Sequence, residues 1–363
     1  MQGDSMSRYR VGIIGLGRIS STIDDEVQGH PAVMLPYAHT ACFREVAETE
    51  VVAGADPFDA QREAFGERWG IRNLYTDYRE MVAREQLDIV SIATSTKPRP
   101  EIVQTVAAMG VRAIYAEKPI AFTLEEADAM VRACAEHNVV LAIGCTRRWD
   151  AWWGMARRLI AEGQIGNVLQ VNAHGEAAIS HNGSHLIDLV RFLVGDEPIS
   201  WVFGEAESDD AAQSDDDLRM NGYLAFANGT RAFLRTWPSG ASNWTVDVIG
   251  ETGTLRATGN GSDIEWWQPA DRGILTRRPI PRPQRIESPG VRAVRDLLVC
   301  IETGKQPECA GEDGVAALEV AIALRESHRR GGCRIALPLT DRTLGIRSAE
   351  TLRGEQPRRL RVS

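Results

Sequence analysis

Short apolar runs alternate with longer amphipathic ones over the first 145 residues, and each apolar run stops at a glycine, a proline or a charge. Residues 10–17 (RVGIIGLG), 50–56 (EVVAGAD), 87–94 (LDIVSIAT), 113–120 (AIYAEKPI) and 139–145 (VVLAIGC) read as buried strands, being brief and bounded by turn signals. Residues 59–69, 101–109 and 124–137 carry helical patterning between them, the last opened by the capping box Thr123-Leu124-Glu125-Glu126. This alternation predicts an α/β, doubly wound parallel sheet over residues 1–142.

The pattern then changes period. Residues 166–175 alternate like a strand and lead into a helix holding His185 and Asp188; six further strand-like stretches follow between residues 200 and 268. Asn228-Gly229, between two of them, predicts a hairpin with a type I′ turn. Residues 143–340 are therefore expected to form an α+β domain on an antiparallel sheet, with helices over 291–302 and 315–328 packing back on the body. Trp237, Trp244, Trp266 and Trp267 read first as sheet packing and second as a sugar-stacking or subunit surface. The acidic stretch from Glu207 to Asp217 reads as a solvated turn. Residues 341–363, with six arginines against three acids, are expected to be a basic C-terminal tail.

Composition narrows the class of protein without choosing a function. A length of 363 residues accommodates two domains, and 43% hydrophobic with 25% charged residues is globular usage. No apolar run reaches the ~20 residues that span a bilayer, and no signal core precedes residue 11, so a cytoplasmic protein without membrane partners is expected. A net charge of −9 argues against nucleic-acid binding. Six well-separated cysteines show no zinc spacing, so no metal is expected.

Chemistry concentrates at the strand ends. Gly15-Leu16-Gly17-Arg18-Ile19-Ser20 is a G-x-G-x-x-S form of the dinucleotide fingerprint: one glycine for a tight turn, the next for close backbone approach to a pyrophosphate. Asp56 ends the second strand where an acid would bind an adenosine ribose diol and repel a 2′-phosphate, which favours NAD; its plainer reading is a helix cap. The 39 residues from Gly17 to Asp56 are nearly twice the usual ~20 and place an insert over residues 21–38, read as a cover over the crevice or an oligomer contact. At the end of the 113–120 strand stand Glu117, Lys118 and Pro119, where a lysine faces the ligand crevice of a parallel sheet or bridges a carboxylate for structure alone.

In these motifs the chain resembles the family of glucose-fructose oxidoreductase, inositol dehydrogenase and the rhizopine catabolism protein. The resemblance rests on residues 12–20, on Ala93-Thr94 with Glu101, on Glu117-Lys118-Pro119, on Arg147-Arg148-Trp149 and on residues 183–188 (GSHLID), with a weaker match over 317–339. It implies an N-terminal Rossmann domain and a C-terminal domain with an open, largely antiparallel sheet. It also implies a homo-oligomer, dimer or tetramer, and oxidation or reduction of a carbohydrate hydroxyl with NAD or NADP. Lys118 takes the catalytic position, with Gly15, Gly17, Arg18, Ile19, Asp56, Thr94 and Glu117 at the cofactor. Two departures stand out: His181 replaces the aspartate often found four residues before the position of His185, and Arg99 replaces a common histidine.

An imidazole titrating near neutrality suits the exchange of a hydroxyl proton, which makes His185 and His181 the candidate acid–base pair. Lys97, Arg99, Arg147 and Arg148, with Trp149, are candidates for substrate contact and point to an anionic sugar such as a uronate, phosphate or sulfonate. The departures keep a second activity open: an NAD-dependent glycosidase that oxidises a glycoside transiently, eliminates the aglycone, adds water and re-reduces, with no net redox change. A non-catalytic NAD- or sugar-sensing protein is the third reading.

Overall fold

The computed structural model describes residues 8–238, 244–283 and 286–347. The chain divides into two compact units. The first comprises residues 1–121, 126–149 and 287–312; the second comprises 122–125, 150–286 and 313–363.

The first unit holds a six-stranded parallel sheet: β1 (Tyr9–Ile14), β2 (Thr49–Ala55), β3 (Asn73–Tyr75), β4 (Ile89–Ile92), β5 (Ala113–Ala116) and β6 (Val140–Ile143). Their order in the sheet is β3-β2-β1-β4-β5-β6. The chain thus winds outward in both directions from the β1/β4 pair, and the loops after these strands open at the carboxyl edge where such sheets bind ligands. β4 and β5 are buried at every position, as expected of strands covered on both faces. The three-residue β3 is too short to carry a periodicity.

Helix boundaries follow local chemistry. Asp77 accepts a hydrogen bond from the Arg79 N–H at the start of the helix Tyr78–Glu85, and left-handed Gly70 closes the helix Asp59–Trp69. The helix expected at 101–109 is Arg99–Ala108; it begins two residues earlier, with proline in its first turn. Pro289–Thr303, capped by Ser288 on the Val291 N–H, belongs to the first unit although it lies far along the chain.

The second unit is built on a nine-stranded sheet: β7 (Val168–His174), β8 (Ile199–Ala206), β9 (Met220–Phe226), β10 (Arg231–Arg235), β11 (Thr245–Gly250), β12 (Thr254–Thr258), β13 (Asp263–Pro269), β14 (Leu275–Arg278) and β15 (Ile335–Ala336). The order β14-β13-β12-β11-β7-β10-β9-β8-β15 is antiparallel at every pairing except β7 with β10, which is parallel. Inward positions such as Val171, Ala173, Leu224, Ala232 and Val248 are buried, and the helix Gly183–Val194 packs on β7 and β10.

Three expectations are corrected here. The β9–β10 hairpin forms at Asn228-Gly229, but only Gly229 takes positive φ (95°). Asn228 instead accepts the Thr230 N–H through Oδ1, a local bond that replaces the second left-handed residue of a type I′ turn. The acidic stretch is no idle solvated turn, because Asp215 pairs with Arg325 and Arg329, and Asp217 holds the backbone of the second unit as described below. Nor does a tail begin at residue 341: Ile346 is fully buried, Arg342 pairs with Glu319, and Arg347 exchanges backbone bonds with Asp215 and Asp217. The rest of the expected tail, 348–363, lies outside the described residues.

Candidate active site

The glycine loop follows β1 at the carboxyl edge of the parallel sheet. Gly15 has φ +86°, and a Cβ there would lie 2.9 Å from the Ala93 carbonyl carbon and the Thr94 nitrogen, so the position demands glycine twice over. Gly17 is different: an added Cβ would meet nothing within 4 Å, which leaves open space over the amino end of the segment Arg18–Ser21. Ser20, buried, donates to the Gly17 carbonyl and ties the turn to itself. Arg18 is exposed and pairs with Glu26, while Ile19 is half-buried.

Asp56 ends β2 with its carboxylate drawn into this loop. One oxygen accepts the Leu16 N–H at 2.9 Å and the other the Phe58 N–H at 3.0 Å, so the acid braces the glycine turn and is not the N-cap of the following helix, which is Phe58. The Arg62 guanidinium beside it is engaged by the Asp56 carbonyl and the Asp59 carboxylate. After β4, the buried Thr94 Oγ1 has no hydrogen-bond partner among the described residues. A buried hydroxyl of this kind, beside a glycine turn with space above it and an acid at the end of β2, fits a bound dinucleotide.

Glu117 and Lys118 follow β5 at the same edge. Glu117 is 9% exposed; one carboxylate oxygen lies 3.1 Å from His39 Nε2 and the other accepts the Lys118 backbone N–H at 3.2 Å. Burial pushes its carboxyl up, but the His39 hydrogen bond and the charges of His39, Lys118 and Arg99 overcome this and bring it down to about 2. Lys118 itself is half-buried. His39 lies just past the insert over residues 21–38, where no motif marks it. The one available signal is a histidine opening the helix that resumes there.

The candidate substrate residues of this unit are corrected in part. Arg99 is 1% exposed, and its guanidinium donates to the carbonyls of Thr94 and Pro119, bracing the loops after β4 and β5. Arg148 and Trp149 are 5% and 2% exposed; Arg148 donates to the Glu308 carbonyl and Trp149 Nε1 to Asp296 Oδ2 at 2.9 Å. Groups so buried serve internal bonds first. Lys97 is exposed and Arg147 half-buried.

In the second unit, His185 is 8% exposed on the helix Gly183–Val194. Asp188, one turn on, is 1% exposed, and Arg191 lies 3.9 Å from it. His181 precedes the helix, and the Asp217 carboxylate accepts the backbone N–H groups of Ser180 and His181 at 2.9 and 2.7 Å. The carbonyl of His181 in turn accepts from Ser184 Oγ. The loop before the helix is therefore held at both its amides and its carbonyl.

A glycine loop at the switch point of a 3-2-1-4-5-6 sheet, an acid ending β2 and a lysine after β5 define a dinucleotide-dependent oxidoreductase. Sequence comparison refines that class: residues 9–145 match the oxidoreductase family with an NAD-binding Rossmann fold, and residues 157–337 match that family's C-terminal alpha/beta domain. The chain belongs to the GFO/IDH/MocA oxidoreductase family. It is 26% identical over 327 residues to D-apiose dehydrogenase of Paraburkholderia graminis, covering 81% of this chain and 84% of that one. It is also 26% identical over 339 residues to inositol 2-dehydrogenase of Rhizobium meliloti, covering 86% and 95%. A more local match, 29% over 205 residues (51% and 54%), is to the 2,7-anhydro-N-acetylneuraminate hydratase of Mediterraneibacter gnavus. Among solved structures, the WlbA dehydrogenase of Bordetella pertussis in complex with NADH and UDP-GlcNAcA shares the fold with a TM-score of 0.71 at 22% identity, covering 92% and 99%. The matching domain is described as an NAD-binding Rossmann fold, and the residues at the carboxyl edge of the first sheet fit NAD.

Proposed function

We propose that the protein is an NAD-dependent dehydrogenase acting on a hydroxyl carbon of a sugar, sugar derivative or cyclitol. The observation that carries this is Lys118, held at the carboxyl end of β5 by a carboxylate that caps its own N–H, on the sheet edge that bears the glycine loop. NAD, when bound, supplies the hydride acceptor. Gly15 and Gly17 would admit its pyrophosphate, Asp56 would receive the ribose diol and disfavour a 2′-phosphate, and Thr94 Oγ1 would gain a partner. Lys118 orients and polarises the substrate oxygen. His185, with His181, takes the hydroxyl proton as the carbonyl forms, a role suited to imidazole at neutral pH. Relatives named as apiose and inositol dehydrogenases support the substrate class.

The test is a panel of free sugars, cyclitols and their uronates with NAD, read by NADH absorbance. Lys118→Met should lower kcat by about 10²- to 10⁴-fold on any substrate found. Non-additive losses in the Lys118→Met/His185→Ala double mutant would show that both groups serve one reaction.

The hydratase relative favours a second reading, redox-neutral cleavage or hydration through transient oxidation. It requires aglycone release or water addition over many turnovers with no net NADH. A homo-oligomer is also proposed, formed through the outer face of the second sheet. Trp201 and Tyr223 stack there with centroids 5.4 Å apart, Phe233 meets Tyr223 edge-on at 4.9 Å, and Phe203 and Phe233 remain 42% and 43% exposed. A reducing, cytoplasmic location is proposed in keeping with the burial of Cys42, Cys134, Cys145, Cys300 and Cys309 as thiols.

A further inference from the structure

We propose that His39 is the positioning residue of the Lys118 strand end, and that the insert after the glycine loop folds so as to deliver it there. The role of Lys118 in this statement rests on the dehydrogenase reading; the placement of His39 on Glu117 does not.

The His39 ring is 4% exposed and bonded at both nitrogens: Nδ1 lies 2.8 Å from Ser91 Oγ on β4 and Nε2 3.1 Å from Glu117 Oε1 after β5. An ionised carboxylate only accepts, so Nε2 carries the hydrogen whether the ring is neutral or charged. The imidazole therefore ties β4 to the end of β5. Tyr115 supports it from the sheet, with centroids 4.8 Å apart. The Glu117 carboxylate is boxed in from a second direction, since a Cβ on Gly144 would come within 3.0 Å of Oε1. In this placement Glu117 Oε2 accepts the Lys118 N–H.

The other titratable and charged groups facing this pair are Tyr37, Tyr115, Cys42, Lys118 and Arg99. Burial raises both tyrosines and the Cys42 thiol, so all three stay neutral. Arg99 is engaged by the carbonyls of Thr94 and Pro119. His39 supplies a direct hydrogen bond to Glu117 Oε1.

The insert explains how His39 arrives. Asp24 Oδ1 accepts the N–H groups of Tyr37 and Ala38 at 3.0 and 2.6 Å, the two residues immediately before His39, and so closes the insert onto its own start. The near end is pinned too: Asp25 takes both Nη groups of Arg68 at 2.8 Å, and Ser21 Oγ accepts from Trp69 Nε1 at 2.9 Å. The far side is fixed by Cys42 on the Pro36 carbonyl. The helix His39–Glu45 then starts with its first residue aimed into the unit.

The experiment follows the Glu117 carboxyl carbon by NMR titration in the full-length protein without cofactor, alongside NADH affinity by fluorescence. His39→Leu should move the Glu117 titration upward by more than one pH unit and weaken NADH by about tenfold. His39→Gln, which restores an N–H donor, should keep the titration within one unit of wild type and the affinity within about threefold. Asp24→Ala, which leaves the ring intact, should shift both readouts in the His39→Leu direction by a smaller amount, and serves where His39→Leu does not fold. An unchanged Glu117 titration in His39→Leu, a His39→Gln variant as impaired as His39→Leu, or an Asp24→Ala variant identical to wild type would each overturn the proposal. The NMR readout needs no turnover, so its failure is separable from failure to find a sugar substrate.

Discussion

At the scale of single residues, the nucleotide end of the parallel sheet is specified by a few side chains and by the absence of one. Gly15 combines positive φ with a 2.9 Å approach to the backbone after β4, so Gly15→Ala strains the turn and displaces Thr94 together. The expected cost is above 1 kcal/mol with loss of measurable NADH binding, read by thermal melting and fluorescence titration. Asp56→Asn keeps an oxygen for the Leu16 N–H but removes the charge proposed to set the cofactor preference, and the NAD-to-NADP affinity ratio should fall by about tenfold. Glu117 makes the unit acid-sensitive. Its carboxyl is depressed from 4.5 to about 2 in the fold, so its stabilisation is complete above pH 4.5 and is lost as pH falls towards 2. His39→Leu, which raises that folded value, should bring the onset of acid unfolding to higher pH by circular dichroism.

At the scale of elements, periodicity made most strands and most helices legible, because burial on one face or two leaves its mark on every turn of chain, whereas β3, β14 and β15 are too short to carry it. The fingerprint and the EKP strand end were legible for the same reason: chemistry at the carboxyl edge interrupts an apolar run. What escaped was long-range. His39 and Ser91 lie 52 residues apart and meet only because β4 and the end of the insert converge. Arg99, Arg148 and Trp149 read as surface chemistry because an arginine or tryptophan beside a motif looks the same in sequence whether it meets substrate or a carbonyl. Of the four cations, Lys97 is exposed and Arg147 half-buried, against the buried Arg99 and Arg148. If the substrate is a uronate or phosphate, the double substitution Lys97→Ala/Arg147→Ala should raise its KM more than tenfold and leave a neutral analogue within threefold, by steady-state kinetics. The acidic loop was misread for a related reason. Asp217 uses its carboxylate on the backbone amides of Ser180 and His181, a partnership 36 and 37 residues away that charge patterning does not encode.

At the scale of the whole molecule, the chain does not build its two units in linear order. Residues 287–312 return to the first unit after the second sheet is built, and the helix Pro289–Thr303 covers the helix that begins with His39. The sheet of the second unit keeps an aromatic outer face, and if the proposed homo-oligomer forms through it, a Phe233→Glu variant should shift the protein towards monomer by light scattering while its circular dichroism stays that of wild type. In the proposed reaction a carbohydrate carbinol gives its hydride to NAD and the cofactor keeps it. The most direct measurement is the stoichiometry of NADH to oxidised product when the full-length protein is given NAD and a panel of sugars, cyclitols and glycosides. One NADH per ketone or lactone formed is the predicted result. Aglycone release or hydration over many turnovers with no accumulated NADH would contradict it.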